Sequence, residues 1–376
     1  MIEIITDLLA NSGFAGITIQ HLIMLVIACI FFYLAIAKGC EPYLLIPIAF
    51  GMLLVNLPGV NLMDAATDSE AGGLFYYLYQ GINLVIYPPL IFLCLGASID
   101  FGPLIANPKT MLLGGAAQVG VLMALLLAIA LGFTGAEAAS IGIIGGADGP
   151  TTIFLTGQLA PHLLSTVALA AYSYMALVPI IQPPIIRLLT TKKERMIKME
   201  QLRSVTHKEK IIFPIAVTLV VVLLVPTAAP LIGMLMFGNL IKESGKVPKL
   251  VDVAQNSLMY ILTILLGLSV GAKASAELFL TPETLKITLL GLIAFAFGTA
   301  SGVLFGKLMC KWSGGKINPV IGAAGVSAIP MSARVVQQVG LEENPSNFLL
   351  MHAMGPNVAG IVGSAILAGL FIQFLG

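Results

Sequence analysis

The stretch Gly142-Ile143-Ile144-Gly145-Gly146-Ala147-Asp148-Gly149-Pro150-Thr151-Thr152 decides how this chain folds. It lies in an apolar segment, 136–160, that is long enough to cross a bilayer. Glycine costs about 1 kcal/mol and proline about 3 kcal/mol inside a helix, so a continuous helix is disfavoured here. Interrupted backbone survives at membrane depth only where it is buried in protein or lines a wet cavity. The stretch therefore predicts two half-helices that meet near Asp148, an arrangement with which transporters build ion sites.

Composition places the whole chain in the membrane. Of its 376 residues, 58% are hydrophobic and only 10% are charged, and the mean hydropathy is +1.00. Soluble domains carry about 25% charged residues. We predict an all-α polytopic membrane protein with about ten or eleven transmembrane segments of roughly 20 residues each. The net charge of +1 argues against a nucleic-acid partner.

One strongly basic segment, 191–210, divides the chain into two halves. By the positive-inside rule it is a cytoplasmic loop. We predict that residues 1–42 form an N-terminal surface helix and the first span, and that 43–190 form a first repeat containing the break at 136–160. Residues 211–376 then form a second repeat, with a second broken helix at 318–339.

The two broken segments match each other at a constant offset. Each of three residues in the first break has its equivalent 180 positions later: Gly142, Gly145 and Pro150 correspond to Gly322, Gly325 and Pro330. Such agreement indicates an internal repeat. Because broken helices in matching positions are typical of inverted-repeat transporters, we predict that the two repeats are inverted.

Asp148 is the first candidate site residue, because a carboxylate in hydrocarbon is costly and is functional by default. Together with the carbonyls of the break and the hydroxyls of Thr151 and Thr152, it offers the oxygen ligands that hard cations prefer. We predict that Asp148 binds Na⁺ and that a proton competes for the same carboxylate. The alternative is a helix N-cap, a role compatible with ion binding.

The second break supplies a cation and neutral oxygens. Arg334 carries a permanent charge on a planar fork suited to carboxylates, so it either forms a salt bridge with Asp148 or holds an anionic substrate. As a set flanking the breaks, further residues are predicted sodium ligands, although each alone is explained by packing or capping: Asn318, Gly322, Ser327 and Asn357.

Two further residues have chemistry that bears on the function. Tyr174, on the span after the first break, either passes a proton or anchors the helix at the interface. Lys198 lies in Met196-Ile197-Lys198-Met199, which faintly resembles the biotinylated sequence of biotin-carrier domains. No small β domain surrounds it, so we predict no covalent biotin on this chain.

Two motifs resemble a known family over nearly the whole chain. They are Gly-Gly-Ala-Asp-Gly-Pro-Thr at 145–151, and Asn318-Pro319 followed by Ser327-Ala328-Ile329-Pro330-Met331-Ser332-Ala333-Arg334-Val335-Val336-Gln337. Both resemble the β subunit of the sodium-pumping biotin-dependent decarboxylases, which act on oxaloacetate, methylmalonyl-CoA or glutaconyl-CoA.

The resemblance implies a translocase subunit in the bacterial cytoplasmic (inner) membrane. Such a subunit decarboxylates carboxybiotin on a partner carrier protein, consumes a proton and exports Na⁺. The implied partners are a biotin carrier, a carboxyltransferase and small membrane subunits, and we also expect membrane lipid contacts and a homo-oligomer.

The resemblance also implies residue roles. Asp148 is the central Na⁺ ligand, and a sodium path is lined by Asn318, Gly322 and Ser327. Arg334 engages carboxybiotin, and Tyr174 handles protons or sodium, so the implied catalytic residues are Arg334, Tyr174 and Asp148.

Two rival functions use the same features. A secondary sodium-coupled carboxylate symporter would need the same fold, Asp148 and Arg334, but no chemistry. A membrane scaffold would need neither residue, which argues against it. Only the motif resemblance separates the symporter from the decarboxylase.

Overall fold

The computed structural model describes residues 12–39, 41–67 and 69–376. Within these ranges the chain is helical and contains no strand, which confirms the predicted all-α class. The surface helix predicted near the N-terminus falls largely on residues outside the described ranges. The first predicted span is present as the helix Ile19–Ile36.

The helices before the basic segment include three that are shorter than ten residues. They are α1 Ile19–Ile36, α2 Pro42–Val55, α3 Leu74–Asn83, α4 Tyr87–Ser98, α5 Gly102–Ala106, α6 Met111–Ala117, α7 Val119–Ala130, α8 Gly135–Gly142, α9 Gly149–Leu159 and α10 Leu164–Leu189. A polar segment containing the short helix α11 Lys192–Arg195 follows.

The remaining helices run to the C-terminal end of the described chain. They are α12 His207–Leu224, α13 Ala229–Ser244, α14 Pro248–Val253, α15 Met259–Ala272, α16 Ala276–Phe279, α17 Pro282–Trp312, α18 Met331–Glu343 and α19 Leu350–Leu375. One turn of π-helix, Ala254–Leu258, joins α14 to α15.

Five helical stretches in the described ranges are long and apolar enough to cross a membrane: Ile19–Ile36, Pro108–Ala130, Pro248–Ala272, Pro282–Trp312 and Leu350–Leu375. Two further helix pairs, each interrupted by a short break, raise the number to seven: Leu74–Asn83 with Tyr87–Ser98, and Pro161–Met175 with Leu177–Leu189, the latter bent by 63°. The prediction of ten or eleven segments also counted shorter apolar helices such as α2, and the broken segments. The polytopic membrane fold is confirmed.

The chain packs as two compact units. One contains the described residues up to Tyr87 together with Tyr260–Lys286. Inside it, the amide of Asn56 donates to Ala274 O at 2.8 Å, and its oxygen accepts from Ala276 N. The other unit comprises Pro88–Met259 and Ile287–Gly376 and contains both breaks. This grouping is by contacts, and the repeat boundaries of the sequence analysis stay a prediction.

The first break has the predicted form. Helix α8 ends at Gly142 and continues as a 3-10 turn, Ile143–Gly146. Ala147 then adopts a left-handed conformation with φ of 51°, and Asp148 is extended. Helix α9 begins at Gly149 with Pro150 in its first turn, where its missing N–H is no loss.

The second break is shorter than predicted. A 3-10 helix, Pro319–Gly325, ends in extended Val326, and a cis Ile329–Pro330 bond precedes α18. Of the predicted 318–339, residues 331–339 are therefore helical. The element order 3-10 turn, interruption, helix is the same in both breaks, as expected for a repeat.

Glycines let the long spans cross close to the breaks. A methyl group added to Gly120 would lie 2.3 Å from Ala294 O, and one on Gly322 would lie 2.0 Å from Gly302 O. Both distances are far inside van der Waals contact. The predicted site residue Gly322 therefore lies at a backbone-to-backbone contact with α17, where no larger residue fits.

We expect Gly322→Ala to lower the thermal midpoint of the purified chain, because overpacking a tight contact costs about 1–3 kcal/mol. The matched control is Gly115→Ala in α6, where an added methyl group meets nothing within 4 Å. That change should be neutral or stabilising by up to about 1 kcal/mol. Equal midpoints for the two variants would contradict the contact.

Candidate functional site

Asp148 is buried at the start of α9, where it caps the helix. Its Oδ2 accepts from Thr151 Oγ1 at 2.5 Å and from Ser364 Oγ at 3.1 Å, and its Oδ1 accepts from Thr151 N at 3.4 Å. Its backbone oxygen accepts from Thr152 Oγ1 at 2.8 Å. The cap interpretation is thus confirmed, and the carboxylate has no cationic partner among the described residues.

The two breaks touch each other directly. Ser327 N, in the second break, donates to Gly146 O, in the first, at 3.0 Å. Helix α19 lies against both, since a methyl group on Gly360 would lie 2.9 Å from Ser327 Oγ, and one on Gly146 would lie 3.2 Å from Ser364 Cβ. The structure therefore brings Ser327 into the same region as Asp148, to which Ser364 of α19 is bonded.

Three amide side chains hold the carbonyls of the broken backbone and its neighbouring helices. The bonds run from Gln118 Nε2 to Gly360 O at 3.2 Å, from Gln182 Nε2 to Ala323 O at 3.1 Å, and from Asn357 Nδ2 to Ala324 O and Val326 O at 3.0 Å each. Such bonds satisfy carbonyls that a regular helix would have paired. The predicted ligand Asn357 therefore also stabilises the second break.

The same amide groups leave their oxygens unused. Gln118 Oε1, Gln182 Oε1 and Asn357 Oδ1 are buried and have no hydrogen-bond partner within the described part of the chain. Ser327 Oγ is unpaired as well. Gln118 Oε1 lies near the first break, because a methyl group on Gly146 would be 3.8 Å from it. Buried acceptors without donors need an explanation such as an ion or a water molecule.

Tyr174 packs beside the 3-10 turn of the first break, because a methyl group on Gly291 would meet the Tyr174 ring at 2.8 Å and Ile144 Cγ2 at 3.0 Å. The Tyr174 hydroxyl donates to Thr288 O. Tyr172 lies at the start of α9, next to Asp148, since its ring is 2.1 Å from where a methyl group on Gly149 would be. The Tyr172 hydroxyl is buried and unpaired among the described residues. Of the two tyrosines, Tyr172 has the better position to act on Asp148.

Asn318 lies at the base of the second break, away from Asp148. Its Nδ2 donates to Arg195 O at 3.1 Å and to Ile197 O at 2.9 Å, while its Oδ1 accepts from Val320 N. The side-chain oxygen of Asn318 therefore caps the 3-10 helix, and its NH₂ group is bonded to the backbone of the basic segment. A role in a sodium path stays a prediction for Asn318 and for Gly322.

Arg334 lies on the exposed face of α18. It forms no ion pair with Asp148, and no hydrogen bond or ion pair joins it to any other described residue. The salt-bridge interpretation is therefore not supported. The interpretation in which Arg334 holds an anion stays a prediction, and the guanidinium is available for one.

The family of the chain follows from sequence comparison. A family model described as the Na⁺-transporting oxaloacetate decarboxylase beta subunit matches residues 20–375. The chain belongs to this family.

Three curated relatives illustrate the match. The methylmalonyl-CoA decarboxylase subunit beta of Propionigenium modestum is 57% identical and covers 100% of both chains. The glutaconyl-CoA decarboxylase subunit beta of Acidaminococcus fermentans is 56% identical, over 99% of this chain and 98% of that one. The oxaloacetate decarboxylase beta chain 2 of Salmonella typhi is 49% identical, over 99% of each.

As a member of the decarboxylase β-subunit family, the chain is a multi-pass protein of the bacterial inner membrane and part of a sodium-transporting, biotin-dependent decarboxylase complex. The resemblance drawn from the two motifs is confirmed. Membership of this family favours the decarboxylase subunit over the symporter and the scaffold, because the family is described by decarboxylation together with Na⁺ transport.

The β-subunit site contains residues that sequence reasoning did not select: Gln118, Tyr172 and Ser364. Gln118 could have been selected from the sequence, since an amide side chain in the apolar span 110–133 needs hydrogen-bond partners in hydrocarbon. Nothing in the sequence distinguishes Ser364 as a site residue, because small residues are common where membrane helices contact each other.

The arrangement suits a monovalent cation. No group of three His, Cys, Asp or Glu side chains that could hold a metal ion occurs in the described ranges. The site instead offers one carboxylate among neutral oxygens, a donor set of the kind hard cations accept. A single negative charge balances a single Na⁺ or a single proton.

Proposed function

We propose that this β subunit releases CO₂ from carboxybiotin carried by a partner subunit and couples that reaction to Na⁺ export. Cleavage of the nitrogen–carboxylate bond leaves the ureido nitrogen to take up one proton. Asp148 is proposed to bind Na⁺ and the proton in turn, and Arg334 is proposed to hold the carboxylate of the substrate.

The observation that carries the proposal is a pair of unused acceptor oxygens at the first break, near the one buried carboxylate. Gln118 Oε1 and Ser327 Oγ are buried without a partner in the described ranges, and both residues lie against Gly146. An unsatisfied polar group in hydrocarbon costs several kcal/mol. A cation needs only acceptors, so Na⁺ would satisfy these oxygens together with Asp148.

The carboxylate can serve both ions because no cationic side chain of a described residue is paired with it. Its present partners are hydroxyl groups of Thr151 and Ser364, which can turn their oxygens toward a cation or their hydrogens toward the carboxylate. Binding a proton at Asp148 would neutralise the site and release Na⁺. That exchange would tie proton consumption to ion transport.

Arg334 suits the anionic substrate for a separate reason. Carboxybiotin presents a planar carboxylate, which a guanidinium binds with two parallel hydrogen bonds. The exposed position of Arg334 on α18, without a partner among described residues, leaves both donor pairs free. We propose a biotin carrier, a carboxyltransferase and small membrane subunits as the partners, and the expected homo-oligomer stays a prediction.

The function is tested in liposomes that contain the purified chain and, if the chain requires them, its small membrane partners. Carboxylated biotin carrier is added outside, and CO₂ release and ²²Na⁺ uptake are followed together. We expect Na⁺ to stimulate CO₂ release and to be taken up by liposomes in which the basic segment faces outward. Sodium-driven uptake of a free carboxylate with no CO₂ release from the carrier would favour the symporter instead.

A further inference from the structure

A charged cavity opens beside the basic segment. Its volume is about 560 Å³, and its lining includes Lys198, Arg203, Lys210 and Asp100. Arg203 is held by Glu209 at 2.8 Å, and Lys210 Nζ lies 3.4 Å from Asp100 Oδ1. Lys198 has no partner among the described residues and is exposed. The cavity therefore keeps at least one free cation on its rim.

The start of α19 forms another wall of this cavity. His352 lines it and is only 7% exposed, and its Nδ1 is buried without a partner in the described part of the chain. No side chain caps α19 from its N-cap residue, and the Leu350 amide is taken by Gln337 Oε1 at 2.7 Å. The next amides of a helix start have no partner within the helix and attract anions.

A separate apolar groove lies farther along two of the helices that line this cavity, α12 and α19. Its volume is about 260 Å³, and all ten lining residues are apolar: Leu104, Met111, Phe213, Ala216, Val217, Val220, Val221, Ala359, Val362 and Ile366. On α12, Lys210 lines the cavity, and Phe213, Val217 and Val221 follow it at helical spacing on one face. On α19, His352 is followed in the same way by Ala359 and Ile366.

We infer that the cavity and the groove together bind one phospholipid with an anionic headgroup, drawn from the leaflet on the side of the basic segment. The phosphate lies against Lys198, His352 and the first amides of α19. One acyl chain lies in the groove between α12 and α19.

The dimensions and the order of the two parts favour a lipid. From His352 to Ile366 the helix rises roughly 20 Å at about 1.5 Å per residue. Half of a hydrocarbon core of about 30 Å, plus a headgroup, has a similar length. A soluble phosphate ester would use only the cavity, and a neutral lipid would leave the cations and His352 unused. The charged end lies at the ends of the spans and the apolar end lies within them, as in a bilayer.

The inference stands apart from the proposed function, because the site shares no residue with the Asp148 region. It does share helix α19, which carries Ser364 to Asp148. A lipid held along α19 would fix the position of that helix.

The test uses the full-length chain, stripped of lipid in detergent, and native mass spectrometry. Phosphatidylglycerol and phosphatidylcholine with identical acyl chains are titrated, and glycerol phosphate is added as a competitor. We expect phosphatidylglycerol to bind at least about fivefold more tightly, since one interfacial lysine changes affinity by about that factor. Glycerol phosphate should not displace it at equal concentration.

Two variants separate the parts of the site. Lys198→Ala should weaken phosphatidylglycerol binding about fivefold and leave phosphatidylcholine binding unchanged. Lys208→Ala, a change at an exposed lysine that does not line the cavity, should leave both unchanged. Ala216→Trp fills the groove from its exposed side and should weaken both lipids. Equal binding of the two lipids, equal effects of the two lysine changes, or displacement by glycerol phosphate would each overturn the inference.

Discussion

We expect Asp148→Asn to lower the sodium-stimulated release of CO₂ from carboxybiotin at least about 30-fold, because removing a buried charge from a site that pairs it with an ion costs about 2 kcal/mol or more. The fold is expected to survive. Asparagine caps helices as well as aspartate does: its oxygen can accept from Thr151 N, and its NH₂ group can donate to the hydroxyl oxygens of Thr151 and Ser364. The readout is the rate as a function of Na⁺ concentration, with the thermal midpoint measured alongside.

The control for charge is Asp252→Asn, which changes an exposed carboxylate bonded to Asn256 at 2.8 Å. It should leave the sodium response unchanged. Ser364→Ala keeps the carboxylate but removes one of its partners, and should raise the Na⁺ concentration for half-maximal rate about tenfold. An undiminished sodium response in Asp148→Asn would show that the ion binds elsewhere.

Arg334→Ala should lower kcat/KM for carboxybiotin about 100-fold, since hydrogen bonds to charged groups contribute about 1.5–3 kcal/mol. Stability should not change, because Arg334 is exposed and has no partner in the described part of the chain. Arg334→Lys keeps the charge and loses the planar fork, so a loss of about tenfold should remain. Decarboxylation at saturating Na⁺ is the measurement.

The matched control is Arg187→Ala. Arg187 is also exposed, and its guanidinium is paired with Glu342 at the end of α18. Surface ion pairs contribute about 0–1 kcal/mol, so this change should alter neither kcat/KM nor stability by much. If the two alanine variants lose the same activity, the effect is one of general surface charge, and Arg334 does not bind the substrate.

The breaks could be predicted from the sequence because their cause is local. Glycines and a proline beside Asp148 disfavour a membrane helix wherever they occur. The N-cap role of Asp148 was predictable for the same reason, since it depends on Thr151 three residues later. The second break followed from its match to the first.

The partners of the candidate residues could not be predicted, because they lie far away along the chain. The sequence could not show that the Asn318 amide donates to the carbonyls of Arg195 and Ile197, and the role of Asn318 in a sodium path stays a prediction. Tyr172 and Tyr174 are two residues apart, which is a rotation of about 200° around α10, so the two side chains lie on nearly opposite sides of the helix. The packing of Gly149 against the Tyr172 ring, which only the structure shows, places Tyr172 rather than Tyr174 next to Asp148.

The bond between Ser327 N and Gly146 O restricts how an ion can leave. Pulling the two interruptions apart would strand an amide and a carbonyl inside the bilayer, at a cost of several kcal/mol. We therefore expect the two interruptions to move together when the ion is released, and rotation of hydroxyls and amides to open a path more readily than separation of one interruption from the other.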